Sequence, residues 1–593
     1  MNICEKIRVF LIEHPESSKG EISEGISFEG SVATLKRHLT ECIKSGQIVS
    51  SGRGRGTRYS AASLRKYPDG VQTFEKIISE HYVYVDKTAL IYQLAHTPSP
   101  CLFLSRPRRF GKSLLISTLQ AYFEGRKDLF SNLAIVGLET EWEHYPVIRL
   151  DLSTAADALN SDQLYLKLGN ILRENEERLG LPIYDTLPGE RLEAMVRRAY
   201  KKSGKKVVLL VDEYDAPMLG ALYDASNNER FRKIEKELFA PVKKLEPFLR
   251  FTFLTGITKF SQMSIFSTLN NLNDISMDDS YASLCGFTEK EVENCFRTEL
   301  NELADVAGLS HEDILPLLQL KYDGYHFTPA GDGVFNPFSL LKVFDKKKLS
   351  DYWFSSGTPG VLIDALQKFD TDIYEIDGAE VTASLFNQPT ESVDNALSLF
   401  YQSGYLTIKS YDALMDTYRL GIPNLEVRAG LMENLVPLIL KKNPIESHNL
   451  AIRFKRSLIQ GDIDQAFGLL RSFFASIPYP EFGKDASASF EKKEAYFKRL
   501  FYLVFSFMNI QIHTEVMNSE GRTDAVMFLG NSVYIIEAKL DAVSAREAVE
   551  QIDQRNYTTR FENGEKRVFK VGLNFSSKSR TLEEWIVEEV HPL

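Results

Sequence analysis

A chain of 593 residues is too long to fold around one hydrophobic core, so several domains are expected. Its 44% hydrophobic and 25% charged residues are those of an ordinary globular protein, and a net charge of −11 argues against a histone-like coat of basic surface. The five cysteines stand without CxxC pairs, so neither a zinc knuckle nor a disulfide framework is suggested. No signal-peptide pattern opens the chain and no run approaches membrane-spanning length, so a cytoplasmic protein without a membrane partner is expected.

The first sixty residues read as helices over 3–13, 19–25 and 31–44, followed by a Gly-rich hairpin over 47–59, which is the order of a winged helix. Val32, Leu35, Leu39 and Ile43 recur at helical spacing and are expected to bury. Thr34, Lys36, Arg37 and His38 are then left on faces suited to a major groove. Arg53, Arg55 and Arg58 ride on the hairpin, within reach of adjacent phosphates. Local charge supports DNA as the partner: between residues 31 and 66, Lys36, Arg37, Lys44, Arg53, Arg55, Arg58, Arg65 and Lys66 face Glu41 alone. The competing reading is a module of the same shape used for protein contacts.

Pro68 and Gly70 mark a boundary. Beyond it, apolar strands at 101–104, 147–152, 207–211 and 250–255 alternate with amphipathic helices, the pattern of a doubly wound parallel sheet. From about residue 277 the pattern turns mainly helical, with aromatic connectors at Tyr322-Asp323-Gly324-Tyr325 and Tyr352-Trp353-Phe354. After Pro478 and Pro480 short strands return. The expected architecture is therefore multidomain α/β: a winged helix over 1–66, a P-loop sheet domain over 67–276, a helical extension over 277–480 and a restriction-endonuclease-like α/β domain over 481–593.

The run from Arg106 to Ser113 lies between the first strand and a helix. Phosphate binding there needs backbone amides at a helix N-terminus, a lysine for the β and γ phosphates and a hydroxyl for Mg²⁺. Gly111, Lys112 and Ser113 supply these, with Arg108 and Arg109 adding charge, although Arg106 stands where the general pattern has glycine. Further on, the apolar strand Val207 to Val211 closes in Asp212 and Glu213. Asp212 suits the magnesium shell and Glu213 the activation of a water, so ATP and Mg²⁺ are the expected cofactors. Thr258 or Lys259, after the next strand, is placed to sense the γ-phosphate.

In the last hundred residues, strands at 512–516, 523–529 and 533–540 form a meander joined by short turns. Asp524 shares a face with Val526 and Phe528, and Glu537 and Lys539 share one with Val533 and Ile535. Burying acids among apolar residues is costly without a cation. Mg²⁺ held by Asp524, Glu537 and the Ala538 carbonyl is expected, with Lys539 activating water and Glu494 and Gln551 as accessory residues. A helix over 544–557 and a strand over 567–573 follow. His513, beside Glu515, reads as a structural histidine.

These motifs carry a resemblance. Phe74-Glu75-Lys76-Ile77, Tyr84 to Thr88, Arg106 to Ser113, Asp212-Glu213-Tyr214-Asp215, Tyr322 to Tyr325, Gly521 to Asp524 and Glu537-Ala538-Lys539 resemble those of bacterial AAA-ATPase-like proteins with a C-terminal PD-(D/E)xK nuclease domain, abundant in gut Bacteroides-type genomes. The resemblance covers about residues 67–593 and implies that the arginine-led P-loop is the family's own form. An ATP-controlled DNA nuclease is then the leading expectation, with defence against foreign DNA as its setting and self-association compatible with it. The alternatives are a nucleotide-switched DNA-binding regulator that does not cut, and an assembly ATPase with no nucleic-acid role.

Overall fold

The computed structural model describes residues 3–14, 16–44, 48–52, 54–61, 65–184, 186–221, 224–258, 272–353, 376–387, 396–439, 444–475, 505, 511–518, 521–541, 544–559, 561, 566–576, 578–579 and 581–590. It divides into two compact units: Met1–Gln319 with His326–Ser350, and Leu320–Tyr325 with Asp351–Leu593. Among the described residues no helix is long and apolar enough to cross a membrane.

The first unit begins with helices α1 (Ile3–Glu13), α2 (Lys19–Gly25) and α3 (Val32–Lys44) and an antiparallel hairpin of β1 (Ile48–Ser51) and β2 (Arg58–Ala61). Between α1 and α2, Ser17 and Tyr59 exchange backbone hydrogen bonds of 2.9 and 2.7 Å, which adds a third extended segment beside the hairpin. Ile7, Leu11, Ile22, Leu35, Leu39, Cys42, Ile48 and Tyr59 form the core. This corrects the expected buried face of α3. Val32, in the first turn, is 72% exposed, and Ile43 is exposed too, because the core-facing stripe runs through Leu35, Leu39 and Cys42 at i, i+4 and i+7. Cys42 is joined by a disulfide to Cys4 of α1, a pairing that the cysteine spacing did not suggest.

Downstream lie α4 (Phe74–Ser79), α5 (Thr88–Ala95), β3 (Cys101–Ser105), α6 (Lys112–Phe123), β4 (Val147–Asp151), α7 (Ser161–Leu179), α8 (Pro188–Ser203), β5 (Val207–Asp212), α9 (Ala216–Gly220), α10 (Ala225–Phe239), β6 (Leu249–Gly256) and β7 (Asn273–Asp274). The strands make one parallel sheet in the order β4-β5-β6-β3-β7. All four expected strands are present, and β7 is a short edge strand the sequence pattern did not reveal. Every residue of β5 is buried, as a strand inside a parallel sheet requires. The Asp86 carboxylate caps α5 through the Thr88 amide at 2.8 Å and accepts the Ala134 amide at 2.7 Å, so that motif serves packing.

On the face formed by α7 and α8, Arg191 and Glu176 meet at 2.6 Å with side chains 4% and 0% exposed. Arg191→Ala strands a buried carboxylate and is expected to destabilise the chain by about 3–5 kcal/mol. Thermal unfolding of the variant checks this; a melting temperature equal to that of the natural chain would contradict it.

The segment 277–480, expected to be mainly helical, falls partly in each unit and also holds sheet. β8 (Phe287–Thr288) pairs with β9 (Val334–Phe335) in the first unit. In the second, β10 (Glu380–Thr382), β11 (Thr407–Asp412) and β12 (Thr417–Gly421) form an antiparallel sheet in the order β10-β12-β11. Tyr322 and Tyr325 are buried there, and the Asp323 carbonyl accepts the Asn424 amide at 2.8 Å. Gly324 (φ 86°) lies so close to the chain that a Cβ would stand 2.4 Å from the Pro423 carbonyl oxygen. The two tyrosines of this connector thus serve packing.

The last sheet runs β13 (Gln511–Asn518), β14 (Gly521–Leu529), β15 (Ser532–Leu540), β16 (Arg567–Ser576) and β17 (Thr581–Val590) in chain order. The first three form the expected antiparallel meander. β16 runs parallel to β15 after a crossover helix, Ala545–Gln554, which Ser544 caps through the Glu547 amide. β17 is an additional edge strand. Tyr557, expected at the end of that helix, lies beyond it in the core with Val526, Val533, Ile535, Ile552 and Val568.

Candidate functional sites

In the first unit the loop from Arg106 to Gly111 leaves β3 and enters α6, whose N-cap is Gly111 at φ 89°. Arg109 is also left-handed, at φ 69°, and the two positive φ values turn the chain sharply at the helix N-terminus, where unpaired amides and the helix dipole favour an anion. Lys112 is buried. Its ammonium donates to the carbonyls of Arg106 at 2.9 Å and Pro107 at 3.0 Å. Burial pushes its pKa down, while Glu213, Asp215 and Asp212 hold it up.

Asp212 ends β5 and is 1% exposed. Neither of its oxygens has a hydrogen bond of good geometry among the described residues, although the Ser113 hydroxyl lies close enough to lower its pKa. Burial raises that pKa overall, and the Arg149 guanidinium is 3.9 Å away. A buried carboxylate with two unsatisfied oxygens fits the shell of a hard divalent cation. Glu213 follows at φ 48°, a strained backbone for a residue with a Cβ, and burial raises its pKa too.

The Arg106 side chain is engaged in packing. Its guanidinium, 2% exposed with its residue, donates to the carbonyls of Ser105 at 2.9 Å, Ser276 at 2.8 Å and Tyr281 at 3.2 Å, and lies 4.1 Å from the Phe327 ring centroid. Phe110 meets the same ring edge-on at 5.4 Å, and the exposed Arg109 lies 4.6 Å over Phe338. Thr258 is tied to Asp215 by two hydrogen bonds; Lys259 lies outside the described residues.

In the second unit Asp524 and Glu537 face each other across β14 and β15. The Asp524 amide donates to Glu537 Oε2 at 3.3 Å, and the Ala538 amide donates to Asp524 Oδ2 at 2.9 Å. Lys539 donates to Glu537 Oε1 at 3.3 Å and to Gln551 Oε1, and the Gln551 amide returns to Glu537 Oε1. Two acids, a lysine and a glutamine from two strands and the crossover helix thus converge. Glu537 is 3% exposed, and its pKa is pushed up to about 7 by burial first and the Asp524 carboxylate second, against the pull of Lys539. A crowded acid pair of this kind is relieved by a cation. Glu494 and the His513 side chain lie outside the described residues, and among those residues no third His, Cys, Asp or Glu joins the pair.

On α3, Lys36 and Arg37 are exposed, with Arg37 3.7 Å from Glu41, and Arg58 is exposed on β2. Arg53 and the Arg55 side chain lie outside the described residues.

Comparison with known proteins adds three likenesses. The family described as predicted AAA-ATPase matches residues 68–266, which hold four of the five strands of the parallel sheet. The PD-(D/E)XK nuclease superfamily matches 492–585, which holds β13 to β16 and the first half of β17. An uncharacterized protein from the vnfD 5′ region of Azotobacter chroococcum mcd 1 is 33% identical over 538 residues, which are 89% of this chain and all of that relative. Both domain matches point to enzymes, one acting through nucleotide and the other on nucleic acid.

Proposed function

Because the chain belongs to the family of AAA-ATPase-like proteins with a C-terminal PD-(D/E)XK nuclease domain, we propose that it is an ATP-regulated, Mg²⁺-dependent DNA nuclease. The observation that carries the nuclease reading is the convergence of Asp524, Glu537, Lys539 and Gln551 at the edge of an apolar core. Asp524 and Glu537 would hold the ion, which when bound supplies Lewis-acid activation of water and neutralises charge at the scissile phosphate. Lys539, steered by Gln551 and Glu537, presents its ammonium to the attacking water or the developing phosphorane charge.

In the nucleotide site Ser113 and Asp212 would hold a second Mg²⁺. Lys112 exchanges its two carbonyl acceptors for phosphate oxygens, Arg109 adds positive charge, and Glu213, with its raised proton affinity, accepts a proton from water. The N-terminal helices and hairpin act as a winged helix that recruits DNA through Lys36, Arg37, Arg53, Arg55 and Arg58. Defence against foreign DNA suits such a design.

The test is incubation of the chain with linear and supercoiled DNA in Mg²⁺, with and without ATP. Cleavage that disappears in Asp524→Ala and Lys539→Ala, and whose ATP dependence disappears in Lys112→Ala, supports the proposal. Salt-dependent DNA binding without any cleavage would instead favour a nucleotide-switched regulator. For the N-terminal module, Lys36→Ala and Arg37→Ala are each expected to weaken DNA binding regardless of sequence and to reduce the log–log salt slope by about 1. Titrations at several salt concentrations read this directly, and unchanged slopes would move the DNA contact elsewhere.

A further inference from the structure

Lys539 and Asn574 are register partners on the parallel strands β15 and β16, two places on from the pair Glu537 and Gly572. Paired residues of neighbouring strands stand about 4.8 Å apart and point to one face. The crossover helix settles which face it is. A Cβ at Gly572 would stand 2.1 Å from the Ala545 carbonyl oxygen and 2.9 Å from the Val549 side chain. Positions 572 and 574 therefore look toward that helix, the element from which Gln551 reaches Lys539 and Glu537. Asn574 flanks the acid pair on the side away from Asp524.

The Oδ1 of Asn574 is shut off from solvent and accepts no hydrogen bond among the described residues. A buried acceptor left unpaired costs stability, and an apolar residue of the same shape would not. The occupancy of Glu537 supplies a reason to keep it. Oε1 of Glu537 takes two donors, the Lys539 ammonium at 3.3 Å and the Gln551 amide, which fill the two lone pairs of that oxygen. An oxygen so occupied has no lone pair for a cation, and an ammonium beside it is repelled by one. Lys539 then keeps its bond to Gln551 Oε1 and needs a new acceptor in place of Glu537. Its own register partner offers one. The next acceptor along that row, Glu584 on β17, already takes the Ala545 amide at 2.9 Å.

We infer that Asn574 is a positioning residue: its Oδ1 receives the Lys539 ammonium when Glu537 turns to a divalent cation, so that the lysine stays beside the acid pair without competing for it. The inference rests on the nuclease reading given above.

The experiment titrates the full chain, without DNA or nucleotide, with Mn²⁺ alone, the paramagnetic stand-in for Mg²⁺ at a carboxylate site, and counts only the binding that Glu537→Gln abolishes. Asn574→Leu is expected to weaken that binding by about tenfold in the natural background and by less than about twofold beside Lys539→Met, which has no ammonium to rehouse. Asn574→Asp, which keeps the acceptor, binds the ion at least as tightly as the natural chain. DNA cleavage at saturating Mg²⁺ falls by about 30-fold in Asn574→Leu. The metal-free chain moves the other way: exchanging an unpaired acceptor for an apolar group of the same shape raises the melting temperature of Asn574→Leu by about 2 °C or more. Equal weakening in both lysine backgrounds would make Asn574 a ligand or a prop of the fold and overturn the inference. So would a lowered melting temperature of metal-free Asn574→Leu, or an Asn574→Asp variant that binds the ion as weakly as Asn574→Leu. A natural chain that binds no Mn²⁺ removes the metal site and this inference together; binding that Glu537→Gln abolishes and Asn574→Leu leaves unchanged removes the inference alone.

Discussion

Glu537→Gln is expected to abolish DNA cleavage, by about 1,000-fold or more, while leaving the last sheet folded. Glutamine keeps the shape of the side chain but cannot present a charged oxygen to a cation, and its amide meets Lys539 as a donor facing a donor. The same variant has a second, opposite signature in stability. With its pKa pushed up to about 7 from 4.5, Glu537 is harder to ionise in the folded chain than in the unfolded one. A raised carboxylate pKa contributes no penalty below the unfolded value and its full penalty above the folded one. Metal-free natural protein therefore loses stability as pH rises from about 4.5 to 7, by up to about 3 kcal/mol from this group. Glu537→Gln removes the titration, so its unfolding in a chelator flattens across that window. Mg²⁺ in turn stabilises the natural chain more at pH 8 than at pH 5. A variant that still cuts, or whose melting temperature tracks pH as the natural chain's does, would exclude Glu537 as the central acid.

That centre was legible because its chemistry is local. Short turns set the register of β14 against β15, alternation put Asp524, Glu537 and Lys539 on the face of Val526, Val533 and Ile535, and a one-residue slip would have carried every one of them to the opposite face. Lys112 and Asp212 were legible for the same reason: Asp212 ends an apolar strand and Lys112 opens the helix after another, and each strand is long enough to be identified alone.

What escaped was non-local, or was pattern shared with another element. Nothing near Arg106 announces Ser276, Tyr281 or Phe327, and nothing near Thr258 announces Asp215. The stripe on α3 shifted because Cys42 competes with Ile43 for the core, a choice made by packing against α1 and not by periodicity. β17 carries Glu583, Glu584, Glu588 and Glu589. Edge strands can carry such charge on the solvent side, so its composition alone does not separate strand from helix. The hairpin β11–β12 was absorbed into a region read as helical because its flanks are helical.

Arg106 is where general pattern and structure make opposite forecasts. The usual P-loop has glycine there, and by that pattern Arg106→Gly should improve nucleotide binding. Glycine is demanded, however, only where φ is positive or another group approaches closely. The positive φ values in this loop are at Arg109 and Gly111. Arg106 instead ties the loop to Ser276, Tyr281 and Phe327 through two hydrogen bonds and a cation–π contact in a buried setting, and gives a third hydrogen bond to the neighbouring Ser105 carbonyl. Removing it leaves buried carbonyls without donors and the Phe327 face without its cation. It also frees the loop that carries Lys112. Arg106→Gly is expected to cost about 3–5 kcal/mol of stability and to weaken ATP binding by about 30-fold or more. Arg106→Lys is expected to recover little, since a single ammonium cannot reproduce a planar fork that bonds in two directions and stacks on a ring. Thermal unfolding with nucleotide titration of both variants decides between the two forecasts. Tighter ATP binding by the glycine variant would mean that the loop is held open by its arginine; weaker binding with a lowered melting temperature means that the arginine is what shapes it.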